Sequence, residues 1–257
     1  MCLILFAYKA HPRYPLVVAA NRDEAYSRPT QPVHWWPDRP ALLAGKDLEG
    51  GGTWLGITRS GDFAALTNVR SGTPPTGTFR SRGELPLLFL DQQLSTLRFV
   101  TRLQESRTAY RGYNLLFGHY TQLQHYSNAT GTVTPLQAGI HGLSNATLDT
   151  PWPKVAKGKK RLAETLRHPE PDPAKLLAIL EDRDIAPDHQ LPATGISLEL
   201  ERQLSPAFIH TPNYGTRSSC LLLIDRDGQV SLLEKERAPR EGSLLKHQFR
   251  ITSKSAD

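Results

Sequence analysis

The chain opens Met1-Cys2-Leu3-Ile4-Leu5-Phe6-Ala7-Tyr8, turns through Lys9-Ala10-His11-Pro12-Arg13-Tyr14-Pro15, and continues Leu16-Val17-Val18-Ala19-Ala20-Asn21-Arg22-Asp23-Glu24. An antiparallel hairpin about Pro12 pairs Tyr8 with Leu16, Phe6 with Val18, Ile4 with Ala20 and Cys2 with Arg22. The first run is apolar at successive positions. It therefore reads as a central strand covered on both faces rather than a loose end. The hairpin brings a charged cluster to the first sulfur of the chain. Removal of the initiator methionine, which is usual before a small residue, leaves Cys2 carrying a thiol and an α-amine together: a nucleophile with its own base. The plainer reading of Cys2 is a small buried hydrophobe.

Composition bounds the rest. The 257 residues fit one large domain or two small ones at ~150 residues per domain. No linker interrupts the sequence, so a single domain over 1–257 is expected. Hydrophobic residues make up 39%, enough for a substantial core. No apolar run approaches the roughly 20 residues that span a bilayer. The first run has no basic segment before it and does not resemble a secretory signal. A cytoplasmic protein without stable membrane insertion is expected. The two cysteines, Cys2 and Cys220, form no CxxC or Cys/His spacing, and the histidines make no ligand pair at helical spacing, so neither metal nor cofactor is expected. A formal charge of +6 and a pI near 9.4 permit weak attraction to anions. The basic residues are spread out except for Lys154, Lys157, Lys159, Lys160 and Arg161, which read as a solvated helix face, and no nucleic-acid partner is expected.

Along the chain, 27–40 carries Pro29, Pro32, Pro37 and Pro40 and is expected to be a loop packed down by Trp35 and Trp36. Residues 53–58 and 62–68 form a hairpin with Gly61 in the turn. Gly50-Gly51-Gly52-Thr53 lacks the Lys of a phosphate loop and opens a strand, which makes it a tight turn instead. Residues 71–82 read as loop, 83–93 and 96–107 as helices, 113–117 with 122–126 as a hairpin, and 132–140 as one further strand. Helices follow over 154–167 and 173–182. Leu198 and Leu200 anchor a weakly patterned stretch. Strands are expected at 207–211, 218–224 and 230–233, and a polar tail from Arg237 onward. Hairpins at both ends with helices between them predict an α+β domain of antiparallel sheets packed face to face and flanked by helices.

Five blocks carry a resemblance in order: Met1-Cys2 with Asn21-Arg22-Asp23-Glu24; Gly51-Gly52-Thr53-Trp54-Leu55-Gly56; Thr67-Asn68-Val69-Arg70; Gly142-Leu143-Ser144-Asn145 followed by Pro151-Trp152-Pro153-Lys154; and Tyr214-Gly215-Thr216-Arg217-Ser218-Ser219. Together they resemble the NRDE family, also called the transport and Golgi organisation 2 family. That family in turn resembles the cysteine N-terminal-nucleophile hydrolases, the branch of penicillin V acylase and bile salt hydrolase. The resemblance implies an αββα sandwich. It also implies Cys2 as nucleophile, Arg22 and Asp23 as its charged neighbours, and Asn145 as an oxyanion donor. Here Arg22 and Asp23 are adjacent, where that branch separates them by two residues. A guanidinium favours a thiolate over a thiol of pKa ~8.5, and a carboxylate orients the α-amine as proton shuttle. The position of a second oxyanion Asn falls near Thr58, with Asn68 ten residues on. Isolated Asn residues usually cap helices or make turns.

Asn21, Trp54, Thr58, Asn68 and Arg217 are the expected substrate contacts. Arg217 enters a buried strand and needs a partner, either Asp23 or a substrate carboxylate. Two functions follow from the resemblance. One is an amidohydrolase acting on a linear amide of a small, partly apolar acyl substrate. The other is a carrier holding a hydrophobic anion such as haem or acyl-coenzyme A, as proposed for eukaryotic members.

Overall fold

The structure, a computed structural model, describes residues 2–73, 76–91, 94–237 and 242–252. Along the described chain run β1 (Cys2–Tyr8), β2 (Leu16–Ala25), β3 (Thr30–Trp36), β4 (Arg39–Asp47), β5 (Leu55–Thr58) and β6 (Asp62–Asn68). Helices α1 (Glu84–Leu90) and α2 (Thr96–Glu105) precede β7 (Tyr113–His119), β8 (Gln122–Ser127), β9 (Thr132–Pro135) and β10 (Gly139–Leu143). Then come α3 (Pro153–Thr165), α4 (Pro173–Ile179), α5 (Leu198–Gln203), β11 (Tyr214–Ile224), β12 (Gln229–Glu236) and β13 (Leu244–Arg250).

The opening hairpin forms in the expected register, with Cys2 opposite Arg22, Ile4 opposite Ala20 and Tyr8 opposite Leu16. It lies inside a six-stranded antiparallel sheet ordered β10-β1-β2-β11-β12-β13. The second sheet has seven strands, ordered β3-β4-β5-β6-β7-β8-β9. Strand alternation sorts the apolar side chains into three layers. Ile4, Phe6, Val18 and Leu222 of the first sheet meet Leu43, Ile57, Phe63 and Leu116 of the second in one core between the sheets. Leu3, Leu5, Val17 and Leu221 face outward onto Val155 and Leu162 of α3 and Leu176 of α4. Leu42, Ala64 and Phe117 on the outer face of the second sheet pack under Leu85 and Phe89 of α1 and Phe99 of α2. The result is helix, sheet, sheet, helix. Gly158 lets α3 lie close on β1: a Cβ there would sit 2.5 Å from Leu5 Cδ1.

Five expectations require correction. Residues 30–36, expected as loop, form β3. Prolines are excluded from central strands, but β3 is the outermost strand of its sheet, and its pairing shifts register between Gln31 and His34, around Pro32. The single strand expected over 132–140 is two, in different sheets: β9 pairs β8, and after Pro135 the chain crosses to pair β10 with β1. Residues 207–211 form no strand, only a bridge between His210 and Gly215. The expected polar tail contains β13, paired with β12 and holding Phe249 edge-on to Trp35 at 5.0 Å. Leu198 and Leu200 are exposed, and the residue of α5 that is buried is Glu201.

Candidate active site

Cys2 begins β1 on the face that looks between the sheets, and β2 places Arg22 directly across from it. The Asp23 backbone N–H donates to the thiol. Burial raises the thiol's pKa; the terminal ammonium and Arg22 pull it down, Asp23 pushes it up, and the net direction is upward. Arg22 therefore moderates the desolvation of the sulfur without overcoming it. Cys220, the other cysteine, is held well above the usual thiol range by burial and then by the Glu234 carboxylate 3.5 Å from its sulfur.

Arg22 is 5% exposed and lies over the Trp54 ring, 4.5 Å from its centroid. Its Nη2 donates to Asp47 Oδ2 at 3.3 Å, and Arg28 Nε donates to the same oxygen at 2.7 Å. Asp47 Oδ1 accepts from the backbone N–H groups of Glu49 and Gly50. Burial pushes the Asp47 carboxyl up, yet Arg28, Gly50 and Arg22 outweigh it and hold the pKa below the ordinary range. Asp47 was not among the expected site residues. Its sequence signal is an aspartate just before the glycine turn, where Asp side chains bond backbone N–H groups two and three residues on.

Asp23 is buried on the opposite, helix-facing side of β2. Its Oδ1 accepts from Thr216 Oγ1 at 2.8 Å, and its carbonyl accepts from Tyr214 Oη at 2.9 Å. Burial raises its pKa, while Lys154, the terminal ammonium, Thr216 and Arg22 oppose the rise. Lys154 was expected on a solvated helix face; it is instead 5% exposed, and its Nζ donates to the carbonyls of Leu204 at 2.9 Å and Pro206 at 3.5 Å. Burial brings its pKa down to about 8 against the attraction of Asp23. Beside it lies a buried ion pair, Arg70 with Glu201, with Arg70 over the Trp152 ring at 4.7 Å.

The remaining expected residues divide. Cys2, Arg22, Asp23, Trp54 and Asn68 line one cavity of about 470 Å³. Asn145 is 1% exposed next to it, its Nδ2 donating to the Asn68 carbonyl at 2.8 Å, and Ser144 Oγ lies 3.3 Å from both the Cys2 carbonyl and Asn145 Oδ1. Asn21 faces the helices, donating to the carbonyls of Leu180 and Ala207 and accepting from Ser219 Oγ, so its amide ties layers together. Thr58 sits at the far end of β5 from Trp54, where its Oγ1 accepts from the Asp62 N–H in the hairpin turn. Arg217 donates to the carbonyls of Ala25 and Arg28 at 2.8 and 2.9 Å, at the point where β11 shifts register against β2, and Asp23 is held by the preceding Thr216. Among the described residues no cluster of His, Cys, Asp and Glu could hold a metal ion. No helix there is long and apolar enough to cross a membrane.

A family model described as Transport and Golgi organisation 2 matches residues 1–239. The chain belongs to the transport and Golgi organisation 2 family. The Transport and Golgi organization protein 2 homolog of Bos taurus is 33% identical, over 98% of this chain and 100% of its own length. Its Homo sapiens counterpart is also 33% identical, over 91% and 92%. Transport and Golgi organization protein 2 of Drosophila melanogaster is 27% identical over the same shares. Among solved structures, a variant of the conjugated bile acid hydrolase from Clostridium perfringens superposes with a TM-score of 0.50 over 98% of both chains at 10% identity. That likeness is one of fold: this member of the transport and Golgi organisation 2 family has the αββα sandwich of the N-terminal-nucleophile hydrolases.

Proposed function

We propose that the chain is an N-terminal-cysteine amidohydrolase acting on a linear amide of a small acyl substrate. The observation that carries this reading is the placement of Cys2 at the head of a central strand, in a cavity, opposite Arg22 and within reach of the Asp23 N–H. With Met1 removed, the Cys2 amine takes the thiol proton, and the sulfur attacks the amide carbon to form a tetrahedral oxyanion. Collapse breaks the C–N bond, and the ammonium passes its proton to the departing amine. Water then attacks the thioester, gives up its proton to the amine, and releases the acid as the thiol is restored.

Two groups serve the oxyanion in this scheme. One is the Asn145 amide, whose Nδ2 already donates to Asn68. The other is Arg22 Nη1, a buried donor with no acceptor among the described residues. Cys2→Ala should abolish turnover on an acyl-amide panel and leave folding near normal, while Asn145→Ala should lower turnover ~100- to 1,000-fold. Intact mass should show a chain lacking Met1. Retained methionine, or turnover that survives Cys2→Ala, would remove the hydrolase reading.

A specific observation favours the second reading, a carrier of a hydrophobic anion such as haem or acyl-coenzyme A. The Asn145 amide is engaged by the Asn68 carbonyl, and the cavity that holds Cys2 is lined by Arg22, Arg28, Arg82 and Arg111. A carrier shows no turnover, keeps its ligand affinity in Cys2→Ala, and loses affinity in Arg22→Ala.

A further inference from the structure

The wall of the Cys2 cavity away from the hairpin is built by two chain segments that cross at glycines. Thr53 N donates to the Gly83 carbonyl at 2.9 Å, and Val69 N to the Gly112 carbonyl at 2.9 Å. A Cβ on Gly52 would fall 2.2 Å from Gly83 O, so the first crossing requires glycine. The residues just before these crossing glycines are Arg82 and Arg111, and both line the cavity with Cys2.

The cavity's other arginines are each matched by a carboxylate: Arg22 and Arg28 by Asp47 at 3.3 and 2.7 Å, Arg28 also by Glu49, and Arg80 by Glu84 at 2.8 Å. Arg82 and Arg111 have no such partner among the described residues. Arg82 Nη1 donates to the Gly112 carbonyl at 3.1 Å, and Arg111 lies 5.8 Å from the Phe79 ring centroid. Glu24 lines the same cavity with its Oε1 accepting from the Ala25 N–H; its charge favours the Arg82 guanidinium, but less than burial and Arg111 oppose it. Arg82 is pulled below the usual guanidinium range by burial and then by the charge of Arg111. Arg82 is half-buried and Arg111 exposed at the same wall; the two like charges repel each other, and an anion from solution relieves their repulsion and the desolvation of Arg82 through charge-assisted hydrogen bonds. Trp54 and Leu66 supply apolar surface elsewhere in the same cavity.

We propose that Arg82 and Arg111 form an anion anchor that sets specificity at the Cys2 site, so that the amide accepted there carries a carboxylate or a phosphate besides its apolar acyl group. This rests on the hydrolase reading for the word amide, and the test separates the two. Isothermal titration of the Cys2→Ala protein uses three ligands with one medium-length acyl chain: the N-acylglycine, its methyl ester, and the N-acyl-phosphoethanolamine. At least one anionic ligand should bind about tenfold tighter than the neutral ester, and adding Arg82→Gln with Arg111→Gln should bring the three affinities together. Whichever anionic ligand shows the advantage identifies carboxylate or phosphate as the group held. Equal binding of charged and neutral ligands, no binding of any of them, or a preference that survives in the double arginine variant overturns the anchor. Kinetics on the intact protein give the second arm. Amides cleaved with no preference for charge sink the anchor and keep the hydrolase. No cleavage, together with a preference in titration that the arginine variants erase, sinks the hydrolase and keeps the anchor.

Discussion

Alkylation of Cys2 should accelerate as pH rises through the alkaline range, because burial holds its thiol above the ordinary value and only the thiolate reacts. Cys220 should label more slowly at every pH, since it is buried between the sheets with the Glu234 carboxylate beside its sulfur. Timed alkylation with peptide mapping checks both, and equal rates would count against an accessible Cys2. Lys154 offers a second pH test. Its folded pKa of about 8 lies below the 10.5 of an unburied lysine. Below about pH 8 both states carry the proton and the folded state bears the desolvation. Between 8 and 10.5 the unfolded chain still binds a proton that the folded chain has released, so stability rises with pH there. The unfolding free energy of wild type minus that of Lys154→Met should therefore rise across that window, and a flat difference would contradict the burial argument. Sequence reading found Cys2 and Arg22 through hairpin register, a local property. It misplaced Lys154 because the buried stripe of α3 runs Lys154, Val155, Gly158 and Leu162, and a glycine contributes nothing to an apolar periodicity.

At the scale of elements, α5 is held to the site by charge rather than by its leucines. Glu201 accepts from Arg70 and from the Thr194 N–H and hydroxyl, with 3% of its side chain exposed against 5% for Arg70. Glu201→Ala leaves a buried guanidinium without its counter-ion and should destabilise the protein by ~3–5 kcal/mol, read as a lower urea midpoint. A change within experimental error would mean that water reaches Arg70. The elements that sequence patterns revealed are those whose burial is local: β1 with β2, β5 with β6, and β7 with β8 are hairpins of strands consecutive in the chain. The ones they missed depend on distant partners. β3 is an edge strand whose bulge accommodates Pro32, and β13 alternates between exposed and half-buried positions, so Leu244 faces out while Leu245 does not. The crossing from β9 to β10 has the same cause, because nothing within 132–140 records which sheet each half joins.

Across the whole molecule the αββα layering was legible because each strand alternates between two apolar faces, whereas the cavity was not. Its arginines come from 22, 28, 80, 82 and 111, and only the fold brings them together. That assembly has a consequence for how the site comes apart. β2 is paired along its length on both edges, by β1 from Leu16 to Arg22 and by β11 from Leu16 to Ala25. Hydrogen exchange should therefore find the backbone amides of 17–22 among the slowest in the chain, opening only when the molecule unfolds as a unit. Arg82 and Arg111 sit instead on connecting segments outside both sheets, where exchange proceeds through local fluctuations of much lower free energy. Mild denaturant should then raise exchange around 80–83 and 110–112 well before it touches 17–22. The thiol would stay in place while the wall opposite it loosens, so selectivity among ligands should fade at a lower urea concentration than the hairpin itself.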